Sequence, residues 1–285
     1  MAVAAAAVAW SSAGLLQREL TLDVPSQLAG RAFFAMLALM AFTALAHRGE
    51  GLTTPYVAMG RAGLVVAVCA ASASGCFIWA LNHTTVAHVL FIQAASPMIA
   101  ALLAFLTLRE HVTRRSALAM VIAMGGVTAM IGDPRGGDWI GDGAALFMTF
   151  SFAVVIVITR HRRDISMAPA LTLAQLLLLL AFAPFADTGR VSAADIGYLI
   201  ALGAGQMAAG LALFTIGARL VPAAEAALIG LLEVVLGPLW VWMAFAEQPD
   251  AATVVGGAIV LVAVVVQALA EPPSARGEIA PPTAA

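Results

Sequence analysis

The chain contains no lysine, two cysteines, two tyrosines and very little charge of either sign. Only 11% of its 285 residues are Asp, Glu, Lys or Arg, against about a quarter in a soluble domain. That scarcity excludes a large soluble domain beside the apolar segments. Net charge of −2, with no basic patch interleaved with aromatics, excludes a nucleic-acid partner. With every basic residue an arginine, the composition reads as GC-rich, bacterial coding. Cys69 and Cys76 lie in one apolar segment without nearby His or carboxylate partners, so they read as packing residues, and no metal or other cofactor is expected. Missing too are GxxxxGK[ST], HExxH, GxSxG and GxGD. The first absence excludes ATP hydrolysis through a phosphate-binding loop, and the others leave no nucleophile–base constellation for an intramembrane enzyme. "IGDG" at Ile140 to Gly143 has the wrong order.

What the chain has instead is apolar length. Hydrophobic residues make up 62% of it, and mean hydropathy is +0.98. A membrane-spanning helix needs roughly 20 such residues. Ten apolar runs satisfy or approach that, at 2–17, 27–46, 57–81, 85–108, 114–131, 139–160, 167–185, 194–216, 221–245 and 252–270. The N-terminal run lacks the positive flank of a signal peptide and reads as a first, short membrane helix. The tail 271–285, rich in Pro and polar residues, reads as disordered.

Arginine placement orients the spans. Ten arginines (Arg48, Arg61, Arg109, Arg114, Arg115, Arg160, Arg162, Arg163, Arg219, Arg276) fall after even-numbered spans or at the C-terminus. Only Arg18, Arg135 and Arg190 fall on the other side. The positive-inside rule therefore puts both termini in the cytoplasm and "NHTT" outside. The clusters "RRSA" and "RHRRD" read as topology determinants touching anionic lipid.

Aligned without a gap, "FIWALNHTTVAHVLFIQAASPMIAALLAFLTLREHVTRRSALAMVIA" and "FTIGARLVPAAEAALIGLLEVVLGPLWVWMAFAEQPDAATVVGGAIV" bring Phe77 onto Phe214, Ala87 onto Ala224, Leu102 onto Leu239 and Glu110 onto Glu247. Each unit would hold five spans. Five is odd, so the second unit would insert with opposite topology. The expected fold is therefore an all-α membrane protein of ten transmembrane helices in two inverted repeats, 1–135 and 136–270. Inverted repeats belong to transporters, whose substrates bind near the midplane where the repeats meet.

The chain resembles the drug/metabolite transporter superfamily, specifically its EamA-type ten-span members, and among them the YddG-type amino-acid exporters. Four features carry the resemblance: a small-residue-rich helix, a mid-helix "EP" pair, a short turn with Glu, and a Gly-rich last helix. Here "EP" is divided between Ser96-Pro97 and Glu233-Val234, the turns hold Glu110 and Glu247, and Arg31 sits early in the second span. The resemblance implies a secondary transporter exporting small metabolites, amino acids above all, by alternating access. Protons are a candidate coupling ion, and a proton-coupled multidrug efflux pump is the alternative. One chain holds both halves, so a monomer suffices; its partners are substrate and membrane lipid.

Several residues stand out against the apolar background. Glu233, in "LIGLLEVVLGPLW", costs about 2.5–3.5 kcal/mol at a span centre, so it must face a wet cavity, pair with a donor or stay protonated. Glu225 lies cheaply near the cytoplasmic end, and His88 occupies the matching repeat position. His83 lies on the outer loop. Gln93 and Ser96 share a face, and Gln206 sits among glycines that leave room for a substrate. Trp10 and Ser11 are candidate cavity residues or interface anchors; Trp79, a further cavity candidate, sits near a predicted membrane end and reads more as an anchor, as Trp240 and Trp242 do. Pro97, Pro184 and Pro238 interrupt spans. Pro97 and Pro238 fall in the repeated hairpin and are the expected hinges.

Overall fold

A computed structural model describes all residues except 18, 48–52, 85, 132–137, 188, 190, 246–250 and 269–285. Among the described residues the regular structure is entirely helical. We number the helical rods in chain order. α1 is Ala2–Ser11, followed by a short turn of helix Ala13–Gln17. α2 is Val24–Ala46, α3 Gly60–His83, α5 Arg114–Ile131, α6 Trp139–His161, α7 Ala168–Phe182 and α10 Ala251–Ala268. Three rods are irregular. α4 is divided into Val86–Gln93 and Ser96–Leu108, and α9 into Ala223–Gly230 and Leu232–Phe245. α8 runs from Ala193–Ile200 through a π-helical stretch, Ala201–Ala208, into Ala209–Ala218.

Helix ends follow local chemistry. Proline occupies the first turn of α2, of α7 and of the second segment of α4, where the missing N–H costs nothing. Ser192 caps α8 in a capping box: its hydroxyl accepts from the Asp195 N–H, and the Asp195 carboxylate accepts from the Ser192 N–H. Pro184 falls at the end of its span: the α-helix of α7 ends at Phe182 and continues as a 3₁₀ turn, Ala183–Phe185. The short helix Thr54–Ala58 stands apart from α3, so the expected start at 57 moves to Gly60.

Among the described residues, seven helices are long and apolar enough to cross a membrane by length and composition: Val24–Ala46, Gly60–Ala80, Phe91–Leu108, Trp139–His161, Ala168–Phe185, Ala193–Ala218 and Ala223–Ala244. Ala2–Ser11 and Ala251–Gln267 are shorter apolar helices. The chain is a multi-pass membrane protein. Large apolar side chains such as Leu64, Leu106, Leu118, Val121 and Met243 point outward, as a surface facing lipid requires.

Small residues let the rods approach. A Cβ on Gly126 of α5 would lie 2.8 Å from the carbonyl of Gly256, so α5 and α10 pack backbone to backbone. α3 packs most extensively on α6, and α1 on α8. α2 meets α7 and α8, α3 meets α7, and α4 and α9 meet each other. α4 also lies against α6, and α9 against α1. The largest buried cluster draws on α1, α2, α3, α4, α6, α7, α8 and α9.

Candidate substrate site

The two interrupted rods meet where they break. In α4 the helical ladder fails after Gln93: the Ala95 N–H reaches the Ile92 carbonyl and the Met98 N–H the Ala95 carbonyl, three residues back instead of four. Pro97, buried at the start of the second segment, supplies no N–H there. In α9 the Leu231 N–H bonds the Leu228 carbonyl and the Val234 N–H the Leu231 carbonyl, again with three-residue spacing. A shift of 137 residues carries Ala94 onto Leu231 and Ser96 onto Glu233, so the two interruptions lie at the same offset in the sequence.

A polar pair bridges them. The Gln93 amide nitrogen donates to Glu233 Oε1 at 2.6 Å. That is the donor an intramembrane carboxylate needs, and such bonds between helices in lipid are worth about 0.6–2 kcal/mol. Ser96 is buried one turn beyond Gln93.

A second polar group joins α1, α8 and α9. Ser11 Oγ donates to the Val8 carbonyl at 2.7 Å and accepts from the Trp240 indole N–H at 2.8 Å. Trp240 therefore does not belong to an interfacial belt; it reaches inward from α9 to α1. Trp242, 44% exposed, faces outward as an interface residue does. Trp10 packs on Phe152 and Phe214, with ring centroids at 6.0 and 5.5 Å. Its indole lies over Gly210, where a Cβ would come within 2.2 Å of Nε1. Gln206, in the π-helical stretch, donates through Nε2 to the Trp10 carbonyl at 3.2 Å. The space that Gly210 leaves is thus filled by Trp10, while Gly203 lies against the 31–35 stretch of α2. The Trp10 Nε1 and Gln206 Oε1 atoms are buried without a hydrogen-bond partner. Unpaired buried polar atoms are costly, and π-helical stretches cluster at functional sites.

Other sequence-derived candidates lie elsewhere. Trp79, 55% exposed near the end of α3, stacks on His83 with centroids 4.2 Å apart, and His83 Nδ1 lies 2.8 Å from the Trp79 carbonyl. These two form a surface pair at the end of α3. Glu225, in the first turn of α9, is hydrogen-bonded to Gln267 of α10. The side chains of His88 and Pro238 lie outside the described residues. The backbone nevertheless runs helically through Pro238, and the interruption of α9 is at Leu231, so the hinge expected at Pro238 is displaced toward Glu233. Arg31 is partly exposed in α2. Cys69 and Cys76 are free, partly buried thiols. Among the described residues no three His, Cys, Asp or Glu side chains gather as metal ligands would.

Phe152, Phe214 and Trp240 carry no sequence signal that separates them from other apolar helix residues. The pairing of Glu110 with Arg160 had none either, since the two are fifty positions apart on different rods.

A family model described as "EamA-like transporter family" matches residues 1–132 and 139–269. The chain belongs to the EamA-like transporter family. That family makes it a membrane transporter of the drug/metabolite superfamily and points away from an enzyme. A solved structure described only as "Crystal structure of protein" is similar to this EamA-family chain with a TM-score of 0.78 at 17% identity, covering 93% of this chain and 95% of that one. At that identity the likeness concerns the fold. Comparison with curated proteins gave no match.

Proposed function

We propose that this chain is a ten-span secondary transporter that exports small metabolites, amino acids foremost, across a bacterial inner membrane by alternating access. Both termini would be cytoplasmic, and residues 1–135 and 136–270 would be inverted five-helix repeats. Support comes from the family match, which covers two successive stretches of nearly equal length. The packing supports it as well. When each rod of the first half is exchanged for its counterpart in the second, α3 on α6 becomes α8 on α1, α2 on α8 becomes α7 on α3, and α4 on α6 becomes α9 on α1. The α2–α7, α4–α9 and α5–α10 contacts map onto themselves. A pseudo-two-fold axis in the membrane plane produces that pattern.

The observation that carries the substrate site is the Gln93–Glu233 bond between matching breaks in α4 and α9. Broken helices free backbone groups at membrane depth, which is tolerated where they are buried in protein or line a cavity. With Trp10 Nε1 and Gln206 Oε1 lacking partners among the described residues on α1 and α8, the bundle holds donor, acceptor and carboxylate chemistry together with aromatic rings. A zwitterion with an apolar side chain suits that mixture.

The aromatic trio of Trp10, Phe152 and Phe214, in a bundle that also holds an intramembrane carboxylate, favours a second reading, a proton-coupled pump for cationic aromatic compounds. Uptake of a labelled amino-acid panel into proteoliposomes, with and without a pH gradient, separates the two. Saturable amino-acid uptake without a gradient supports the facilitated exporter. Uptake only with a gradient makes Glu233 or His88 the coupling group. No amino-acid uptake, with transport of cationic dyes, replaces the first reading by the second.

A further inference from the structure

At the end of the bundle where Arg109, Arg114, Arg160, Arg162, Arg163 and Arg219 collect, four rods are tied by one network. Arg160, in the last turn of α6, donates through Nε to Glu110 Oε1 at 2.9 Å. Its Nη1 donates to the Arg219 carbonyl at 2.8 Å, at the end of α8. The other Glu110 oxygen accepts from the Ala223 N–H, the first of α9, at 3.5 Å. The Arg219 guanidinium in turn donates to the Arg163 carbonyl beyond α6. Glu110 follows α4 and comes from the first half; its partners all come from the second.

The backbone is shaped to deliver Glu110. Arg109 has φ of 58°, the one positive φ at a non-glycine residue among the described residues. The Arg109 and Glu110 N–H groups both return to the Ala104 carbonyl, so the chain reverses there and turns Glu110 back over the bundle. A left-handed arginine is a strained conformation that persists only when its surroundings hold it. Elsewhere at this end, among the described residues, Arg115 donates a further hydrogen bond between the halves, to the Val266 carbonyl across the α5–α10 pair.

We propose that Glu110 and Arg160, with the α8–α9 corner, form a latch that closes the Arg-rich mouth between the halves and opens in each transport cycle. The inference rests on the reading of the chain as an alternating-access transporter. The chemistry suits a latch. The pair is partly exposed, with side chains 18% and 27% accessible. A partly exposed pair is modest in strength and open to exchange with water. The carboxylate caps a helix N-terminus and the guanidinium a helix C-terminus, so each charge also faces the favourable end of a helix dipole. Releasing Glu110 removes the polar tie from the end of α4 to α9 on one side and to α6 on the other. The rods that part are those carrying Glu233 and Gln93.

The test uses the full chain in lipid nanodiscs without substrate, with Cys69 and Cys76 replaced by alanine. Spin labels at Val112 and Leu220, both exposed on the loops that flank the latch, report the opening as an electron–electron distance distribution. Glu110→Gln and Arg160→Gln should raise the long-distance population several-fold. Ala223→Pro should do so more weakly. It deletes only the N–H given to Glu110, at a first helical position that suits proline, and Pro222 before it is already extended at ψ 146°. Arg109→Gly, which relieves the left-handed strain and keeps Glu110, should leave the distances as in the parent. Should Glu110→Gln fold poorly, Ala223→Pro and Arg160→Gln carry the same comparison. Unchanged distances in the folded variants overturn the latch even where amino-acid uptake is normal. Longer distances in a chain that takes up no amino acid uphold the latch and remove the substrate assignment alone.

Discussion

α4 and α9 both break, 137 positions apart, with different residues at the break, and the difference is instructive. In α4 the interruption is prepared by Pro97, which lacks the N–H that would close the ladder, and the polar group presented is a neutral amide, Gln93. In α9 no proline lies at the break. Gly230 and Leu231 turn the chain, the next proline is at 238 inside an unbroken segment, and the group presented is a carboxylate. One half thus fixes its break covalently, while the other holds it by tertiary contacts, of which Glu233 on Gln93 is one. A break held by contacts can re-form as straight helix when they change; a proline break cannot. α9 is therefore the rod expected to move more during transport.

Four substitutions probe that comparison, from the largest effect to the smallest. Gln93→Leu leaves the Glu233 carboxyl in the bundle without its donor, at a cost of about 1–3 kcal/mol. It should lower the thermal unfolding midpoint in detergent and abolish uptake; an unchanged midpoint would show that Glu233 has other support. Glu233→Gln keeps an acceptor for the Gln93 amide and should unfold near the parent midpoint. Its uptake should fall by about tenfold or more, the equivalent of one interaction lost with a charged group. Pro97→Ala restores an N–H at the α4 break. It should slow uptake a few-fold while leaving the unfolding midpoint unchanged or slightly raised, as initial rates and a thermal melt would show. Pro238→Ala should be the mildest, with rates close to the parent, because the α9 break is at Leu231. A loss comparable to that of Pro97→Ala would return the hinge to Pro238.

The class of fold was legible because lipid leaves so few options. Long apolar runs with sparse charge become helices, and a carboxylate such as Glu233 inside one must find a donor. Gln93 and Glu233 were each visible as misfits in apolar helices, yet nothing in their sequence positions said that they bond, because that depends on how α4 crosses α9. Trp240 was misread for a related reason: a tryptophan toward a helix end marks an interface unless a hydroxyl on another rod claims its N–H, as Ser11 does. Proline led to the α4 break but away from the α9 break. Glycines implied room near Gln206, but sequence does not say what occupies it: Trp10 fills the space at Gly210, and nothing lies within 4 Å of a Cβ at Gly205. Glu110 and Arg160 were read as a turn residue and a topology charge; only the left-handed Arg109 and the closeness of four helix ends make them a network.

The most direct measurement of the central claim compares saturable uptake of labelled amino acids by the parent chain and by Glu233→Gln, at matched reconstituted amounts and matched thermal midpoints. The account predicts robust uptake by the parent and a loss of about tenfold or more in the variant. Equal uptake by the two would contradict it and reduce the carboxylate between the broken helices to a packing bond.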